Sequence, residues 1–288
     1  IGVIADRFYE HPSRDVCVVG ITGTNGKTSC SHFLAKSLDS SGAPDLNSDK
    51  VKSRCGVIGT LGYGLYANLV EASPTTPKAI RVHSLLSEMH QQGAGYVVLE
   101  VSSHALDQGR VNGVEFDIAV FTNLSRDHLD HHGTFENYAA AKAKIYSRCG
   151  TAIVNRDAPE SSVMVTPGTA QVGFGLGKPL PTDWGIIEHD DGQWIARGTY
   201  AVMPVESLRL EGLHNLSNAL ASFAMTDSIS GDIDLPMDGL VAGAQIFAGL
   251  PHRMQLVAEV AGIRWIDDSK ATNEGEALAS ITAVSGPL

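Results

Sequence analysis

The run Val16-Cys17-Val18-Val19-Gly20-Ile21-Thr22-Gly23-Thr24-Asn25-Gly26-Lys27-Thr28 constrains the fold more than any other stretch of the chain. A β-branched apolar strand stops at a glycine-rich turn, and Lys27-Thr28 opens a helix. Phe33, Leu34 and Leu38 form the apolar stripe of that helix, and Gly42 is its expected stop. Such a strand–loop–helix is built to hold phosphate. Its glycines let backbone N–H groups converge on an anion, and the helix N-terminus adds positive potential. Lys27 is placed to reach outer phosphates, and the Thr28 hydroxyl to hold magnesium. The common form of this loop has a glycine six residues before the lysine, where this chain has Ile21. The loop is therefore a shorter variant. A plain glycine turn would explain the glycines, but not a Lys-Thr pair following a buried-strand pattern.

Other features narrow the class. A chain of 288 residues with 43% hydrophobic content can bury one large core or two ordinary ones. A net charge of −11 argues against a general nucleic-acid surface, so a polyanionic ligand must meet locally placed cations. Cys17, Cys30, Cys55 and Cys149 form no CxxC pair and read as reduced thiols. No apolar run approaches the ~18 residues of a membrane span, and no signal peptide is visible. A cytoplasmic enzyme is expected.

Residues 1–15 read as a lead-in linker, and Ser40 to Arg54 as a mobile polar loop. Residues 56–63 resume as strand and turn. Ser73-Pro74-Thr75-Thr76-Pro77 leads into a helix with Val82, Leu85, Leu86 and Met89 on one face and Gly93 at its end. On residue chemistry alone, the two threonines read as helix caps. Tyr96 to His104 is a second buried strand, with Glu100 at its carboxyl edge. A carboxylate there either serves a nucleotide's magnesium or is a solvated strand end. Ile118 to Asn123 is a third strand. It runs into a segment, residues 127–132, with three histidines and two aspartates. Zinc is set aside there, for want of a thiolate or a second histidine cluster at zinc-motif spacing. His128 alone is picked as a ligand for a magnesium site, and the others as solvated. Phe135 to Arg148 reads as a helix whose lysines are surface residues by default. Residues 157–212 are strand- and turn-rich. Leu213 to Phe223 is an amphipathic helix in which His214 and Asn215 either cap it or touch a base. Gly249 to Arg253 is a connector into a new strand and polar loop.

Four segments carry a resemblance: Gly23-Thr24-Asn25-Gly26-Lys27-Thr28, Glu100-Val101-Ser102-Ser103-His104-Ala105-Leu106, Thr122 to Asp130, and Tyr138-Ala139-Ala140-Ala141-Lys142. In order and spacing they resemble the Mur ligases, ATP-dependent amino-acid-adding enzymes of cytoplasmic peptidoglycan precursor synthesis. To about residue 150 the chain is similar to the ligase adding diaminopimelate or lysine to UDP-N-acetylmuramoyl-L-alanyl-D-glutamate. Beyond it, Leu213 to Leu220, Gly249 to Arg253 and Trp265 to Asn273 look more like the D-glutamate-adding ligase, with a seam near residues 142–155.

The resemblance implies a three-layer α/β domain with a mostly parallel sheet over residues 16–248, preceded by a linker (1–15) and followed by the start of a second Rossmann-like domain (249–288). It implies an acyl phosphate made from ATP and attacked by the incoming amine. The ATP contacts it implies are Gly23, Thr24, Asn25, Gly26, Lys27, Thr28, Asn215, Arg253 and Asp268. Thr28 and Glu100 would serve one magnesium ion, and His128 with a carbamylated Lys142 the other. Thr75, Thr76, Ser102, Gln108 and Arg110 match positions holding the muramyl peptide, while Lys270 and Thr272 would face the acyl phosphate. The expected partners are a UDP-muramyl peptide and a free amino acid, bound by a monomer. Two rivals stand beside this reading: a D-glutamate-adding ligase acting on UDP-N-acetylmuramoyl-L-alanine, and a nucleotide-binding module without turnover.

Overall fold

A computed structural model of the chain describes residues 1–41, 44–45, 48–52, 54–229 and 237–284. Helix α1 (Gly2–Phe8) precedes strand β1 (Cys17–Thr22) and helix α2 (Lys27–Ser41). Two short strands, β2 (Pro44–Asp45) and β3 (Ser48–Lys52), lead to the hairpin β4 (Arg54–Gly59) and β5 (Gly62–Leu65). Then come α3 (Ala79–Gln91), β6 (Ala94–Glu100), α4 (Ser103–Asp107), β7 (Phe116–Phe121), α5 (Leu129–His132) and α6 (Phe135–Ala143). Strands β8 (Cys149–Asn155), β9 (Ala170–Phe174), β10 (Trp184–His189), β11 (Gly192–Arg197) and β12 (Tyr200–Pro204) follow, with the single turn α7 (Glu160–Val163) after β8. The chain continues through α8 (Leu213–Ile229), α9 (Met237–Ile246), the hairpin β13 (Gln255–Val260) and β14 (Ile263–Asp267), and α10 (Glu274–Ala283).

One ten-stranded sheet organises these elements, in the order β12-β11-β10-β9-β8-β7-β1-β6-β4-β5. From β10 through β4 neighbours run parallel, and the antiparallel pairs lie only at the two ends. Both faces of the parallel part are covered, so its strands read as continuous apolar runs. Alternate residues feed two cores. Val19, Ile21, Tyr96, Val98 and Val120 pack with Phe33, Leu34 and Leu38 of α2 and Leu216, Leu220 and Phe223 of α8. Val18, Val97, Leu99, Ala119 and Phe121 face the other way, onto Val82, Leu85, Leu86 and Met89 of α3. The result is the expected three-layer α/β domain with a mostly parallel sheet.

Several local expectations are corrected. Residues 2–8 form a helix where a linker was read, because Asp6 is buried and accepts from His11 Nδ1 at 2.7 Å, while the helix packs on α3. Part of the segment read as a loop from Ser40 to Arg54 pairs as β2 and β3; residues 42–43, 46–47 and 53, with the Gly42 stop, lie outside the described residues. The helix-cap reading of Thr75 and Thr76 does not hold, since the N-cap of α3 is Lys78. Gly93 does end that helix region, at φ +86, a conformation glycine adopts without a Cβ penalty. Among the described residues after 249, an antiparallel hairpin and one helix lie outside the main sheet.

Candidate functional site

The registers Ile21↔Glu100 and Thr22↔Phe121 bring the carboxyl ends of β1, β6 and β7 to one edge of the sheet. The phosphate loop, Glu100 and Asn123 therefore share that edge, where α/β folds place their ligands. Gly23 and Gly26 have φ of +145 and +83. Neither position has room for a side chain: a Cβ on Gly23 would lie 1.9 Å from Thr122 Oγ1, and one on Gly26 2.4 Å from Asn218 Oδ1. The loop is braced from β7. Thr24 N donates to Asn123 O at 2.8 Å, and Asn25 N donates to Asn123 Oδ1 at 2.9 Å. The Thr24 hydroxyl meets Tyr138 Oη at 3.0 Å.

Two lysines converge on this loop. Lys27 Nζ donates to Gly23 O at 2.9 Å and to Thr24 O at 2.8 Å, and Lys142 Nζ donates to the same Gly23 O at 2.6 Å. Lys142 is 1% exposed and its amine lies 4.7 Å from the centre of the Tyr138 ring. The default reading of a surface lysine is thus overturned for Lys142, because α6 turns this residue inward while Lys144 stays out and pairs with Asp107. Burial pushes the Lys142 amine well below the ordinary lysine value, and the Lys27 cation adds to the effect. Burial also lowers Lys27, against the opposing pull of Glu100 and Glu276.

Glu100 is fully buried, not a solvated strand end. Its Oε2 accepts from Thr28 Oγ1 at 2.9 Å and Thr60 Oγ1 at 3.0 Å; its Oε1 accepts from Thr60 N at 3.1 Å and Ser31 Oγ at 3.3 Å. Thr60, which sequence reasoning passed over, touches both oxygens and also meets Thr75 Oγ1 at 3.1 Å. Thr76 is buried and bridges two backbone groups, donating to Glu100 O at 2.8 Å and accepting from Ser102 N at 3.1 Å. Ser102 caps α4 by accepting from Ala105 N at 3.2 Å. Gln108 Oε1 accepts from Arg110 Nε at 2.9 Å, and Arg110 Nη1 donates to Thr76 O at 2.8 Å. The expected muramyl-peptide residues therefore form one connected chain.

His128 takes a left-handed conformation, φ +50, that is uncommon for a non-glycine residue. Its ring centre lies 6.3 Å from that of Tyr138, with Lys142 on the same tyrosine. The other members of its cluster are not all solvated: His132 is buried and meets Ser103 Oγ at 3.0 Å. Burial first, and then neighbouring imidazoles, lower the pKa of His132 and of His104.

A cavity of about 350 Å³ opens beside the loop, lined by Gly26, Asn155, Asp157, His214, Asn215, Asn218, Arg253, Asp268 and Glu276 among others. Arg253 Nη2 approaches Thr28 Oγ1 at 3.4 Å, and Asn215 Nδ2 donates to Glu211 O at 2.8 Å. Asp268 Oδ1 accepts from Met254 N at 3.0 Å. Asn273, unassigned from sequence, sets its side-chain amide against that of Asn25, 2.8 Å away, and so ties α10 to the loop. Lys270 and Thr272 are exposed, and their described hydrogen bonds run through their backbone N–H groups, to His252 O and Glu276 Oε2. The overlooked residues Thr60 and Asn218 lie far in sequence from the segments they serve, so no local pattern marks them.

These features define an α/β protein with a glycine-rich loop at the carboxyl edge of a parallel sheet, faced by the half-buried Lys27, the buried Lys142 and a buried carboxylate. The chain belongs to the Mur ligase family: the model of the Mur ligase middle domain matches residues 21–226. Over 159 residues it is 54% identical to the UDP-N-acetylmuramoyl-L-alanyl-D-glutamate--2,6-diaminopimelate ligase of Coxiella burnetii (strain RSA 493 / Nine Mile phase I), covering 54% of this chain and 30% of that protein. The ligase of the same name from Pseudomonas aeruginosa PAO1 is 52% identical over 147 residues, 51% of this chain and 28% of that one. The matched half of the chain thus covers less than a third of the length of these relatives. A solved diaminopimelate ligase of this name superposes with a TM-score of 0.70 at 29% identity, over 89% of this chain and 53% of that chain. A Mycobacterium tuberculosis folylpolyglutamate synthase, complexed with ADP and AMPPCP, matches in fold alone, with a TM-score of 0.70 at 18% identity over 97% and 68% of the two chains.

Proposed function

We propose that this chain is the ATP-binding core of a ligase that adds diaminopimelate or lysine to UDP-N-acetylmuramoyl-L-alanyl-D-glutamate. The convergence of Lys27 and Lys142 on the Gly23 carbonyl carries the reading. Mere nucleotide binding needs one loop lysine; a second, buried and pushed toward its neutral form, belongs to chemistry at the outer phosphate.

The protein's own task is positioning and charge neutralisation. Gly23 to Thr28 cradle the ATP phosphates, and Lys27 neutralises the charge that gathers on the transferred phosphoryl group. Asn215, Arg253 and Asp268 line the cavity for the rest of the nucleotide. Ser102, Gln108 and Arg110 hold the muramyl peptide so that its carboxylate meets the γ-phosphate in line. The carboxylate oxygen attacks phosphorus, ADP leaves, and the incoming amine then displaces phosphate from the acyl carbon. Lys270 and Thr272, on the segment leading into α10, serve that second step.

The donor set fits magnesium. Thr28 and Glu100 offer hard oxygen atoms at the phosphate loop, and His128 with a carbamylated Lys142 would complete a second site. Carbamylation joins CO₂ to the neutral amine with loss of a proton, and the buried Lys142 favours that neutral form. When bound, the cations neutralise phosphate charge. No described helix is long and apolar enough to cross a membrane. The site is read as a cytoplasmic, monomeric enzyme's.

The diaminopimelate ligase names attach to the half of the chain that carries Ser102, Gln108 and Arg110. Binding of UDP-muramyl-L-alanine and of its D-glutamyl extension to the full-length protein tests this choice. The extended nucleotide is expected to bind at least tenfold more tightly, through the added carboxylate and Arg110. Preference for the shorter one moves the protein to the D-glutamate-adding class.

A further inference from the structure

Beside the phosphate loop, but apart from it, imidazoles gather where two short helices meet. Helix α4 carries His104 and Asp107, and α5 carries His131 and His132. Donor atoms of Asp107, His131 and His132 all lie within 4.8 Å of one another. His131 Nε2 stands 3.5 Å from Asp107 Oδ2. That spacing is long for a hydrogen bond, yet it matches the edge of a tetrahedron around a cation with ligand bonds of about 2.1 Å. The other carboxylate oxygen is already engaged, accepting from Lys144 Nζ at 3.0 Å, which fixes the carboxylate plane. His132 is oriented by its contact with Ser103 Oγ at 3.0 Å, the kind of outer partner that sets a ligating imidazole. The His104 ring closes the patch, 4.1 Å from that of His131 and 5.5 Å from that of His132.

We propose that Asp107, His131 and His132 form a binding site for a divalent transition cation of the zinc class, which pins α4 to α5. Two imidazoles and one carboxylate suit zinc, cobalt or nickel, whereas the oxygen donors Thr28 and Glu100 suit magnesium. The two sites therefore select different ions from a mixture. Sequence spacing had argued against zinc, because only one histidine-rich segment was visible. The missing partner comes from Asp107 on another element, and only folding brings it in. A pinned α4 would hold Ser102 and Gln108, which flank it, at a fixed distance from His128, which precedes α5.

Cobalt titration of the 288-residue chain in excess magnesium tests the site. One equivalent of Co²⁺ is expected to give a visible absorption band of low coordination number, displaced by one equivalent of Zn²⁺ and accompanied by a rise in Tm. Asp107 and His131 are both exposed, so their replacement leaves the core intact. His131→Ala and, separately, Asp107→Asn are each expected to weaken binding at least tenfold, with circular dichroism unchanged. Absence of the band at millimolar Co²⁺ overturns the proposal. So does a band that survives in either variant, since the cation then sits elsewhere.

Discussion

The Gly23 carbonyl accepts from two lysines, and burial lowers both. Glu100 and Glu276 oppose the shift at Lys27, whereas at Lys142 the Lys27 charge adds to burial and drives the amine well below the ordinary lysine value. The sign of the pH effect follows. Between the lowered folded-state pKa and the ordinary 10.5, the unfolded chain binds more protons at Lys142 than the folded chain does. Stability therefore rises with pH across that window, and the penalty for burying the ammonium is fully present below it. In CO₂-free buffer, Lys142→Met is expected to flatten this rise in the urea midpoint; in the full-length protein supplied with bicarbonate, it is expected to slow turnover on the order of a hundredfold. An unchanged slope with an unchanged rate would return Lys142 to a packing role. Periodicity could not reveal this residue: α6 is alanine-rich, and nothing in its spacing separates a lysine turned inward from one in water.

At the scale of elements, the loop between β1 and α2 is held by two conformations that only glycine adopts cheaply, at Gly23 and Gly26. Gly26→Ala adds a Cβ at 2.4 Å from Asn218 Oδ1 in a backbone region disfavoured for alanine. The expected cost is about 1–3 kcal/mol in stability, with loss of ATP affinity measured by calorimetry. Wild-type affinity would show that the loop need not keep this shape. Those strands were legible because parallel strands buried on both faces lose the polar alternation and leave apolar runs, as Val16 to Ile21 and Tyr96 to Leu99 do. Helix α3 was legible from Val82, Leu85, Leu86 and Met89. Helix α1 was not, because its hold depends on Asp6 and His11 meeting in three dimensions. Thr60 was missed for the same reason: its partner Glu100 lies forty residues on. The histidine patch was half visible, as His131 and His132 without Asp107.

Across the whole molecule, a net charge of −11 makes the local cations decisive, since the surface at large repels a nucleotide. The sheet concentrates Lys27, Lys142, Arg110 and Arg253 around one edge, and the 350 Å³ cavity opens there. The matched ligases extend well beyond the region they share with this chain, so turnover is a property to measure on the full-length protein. The most direct measurement is release of ADP and phosphate from that protein with ATP, UDP-N-acetylmuramoyl-L-alanyl-D-glutamate and diaminopimelate or lysine supplied together and singly withheld. Release is expected only when all three are present, with one ADP for each amide formed. ATP binding without release coupled to both other substrates would contradict it and leave a nucleotide-binding module in its place.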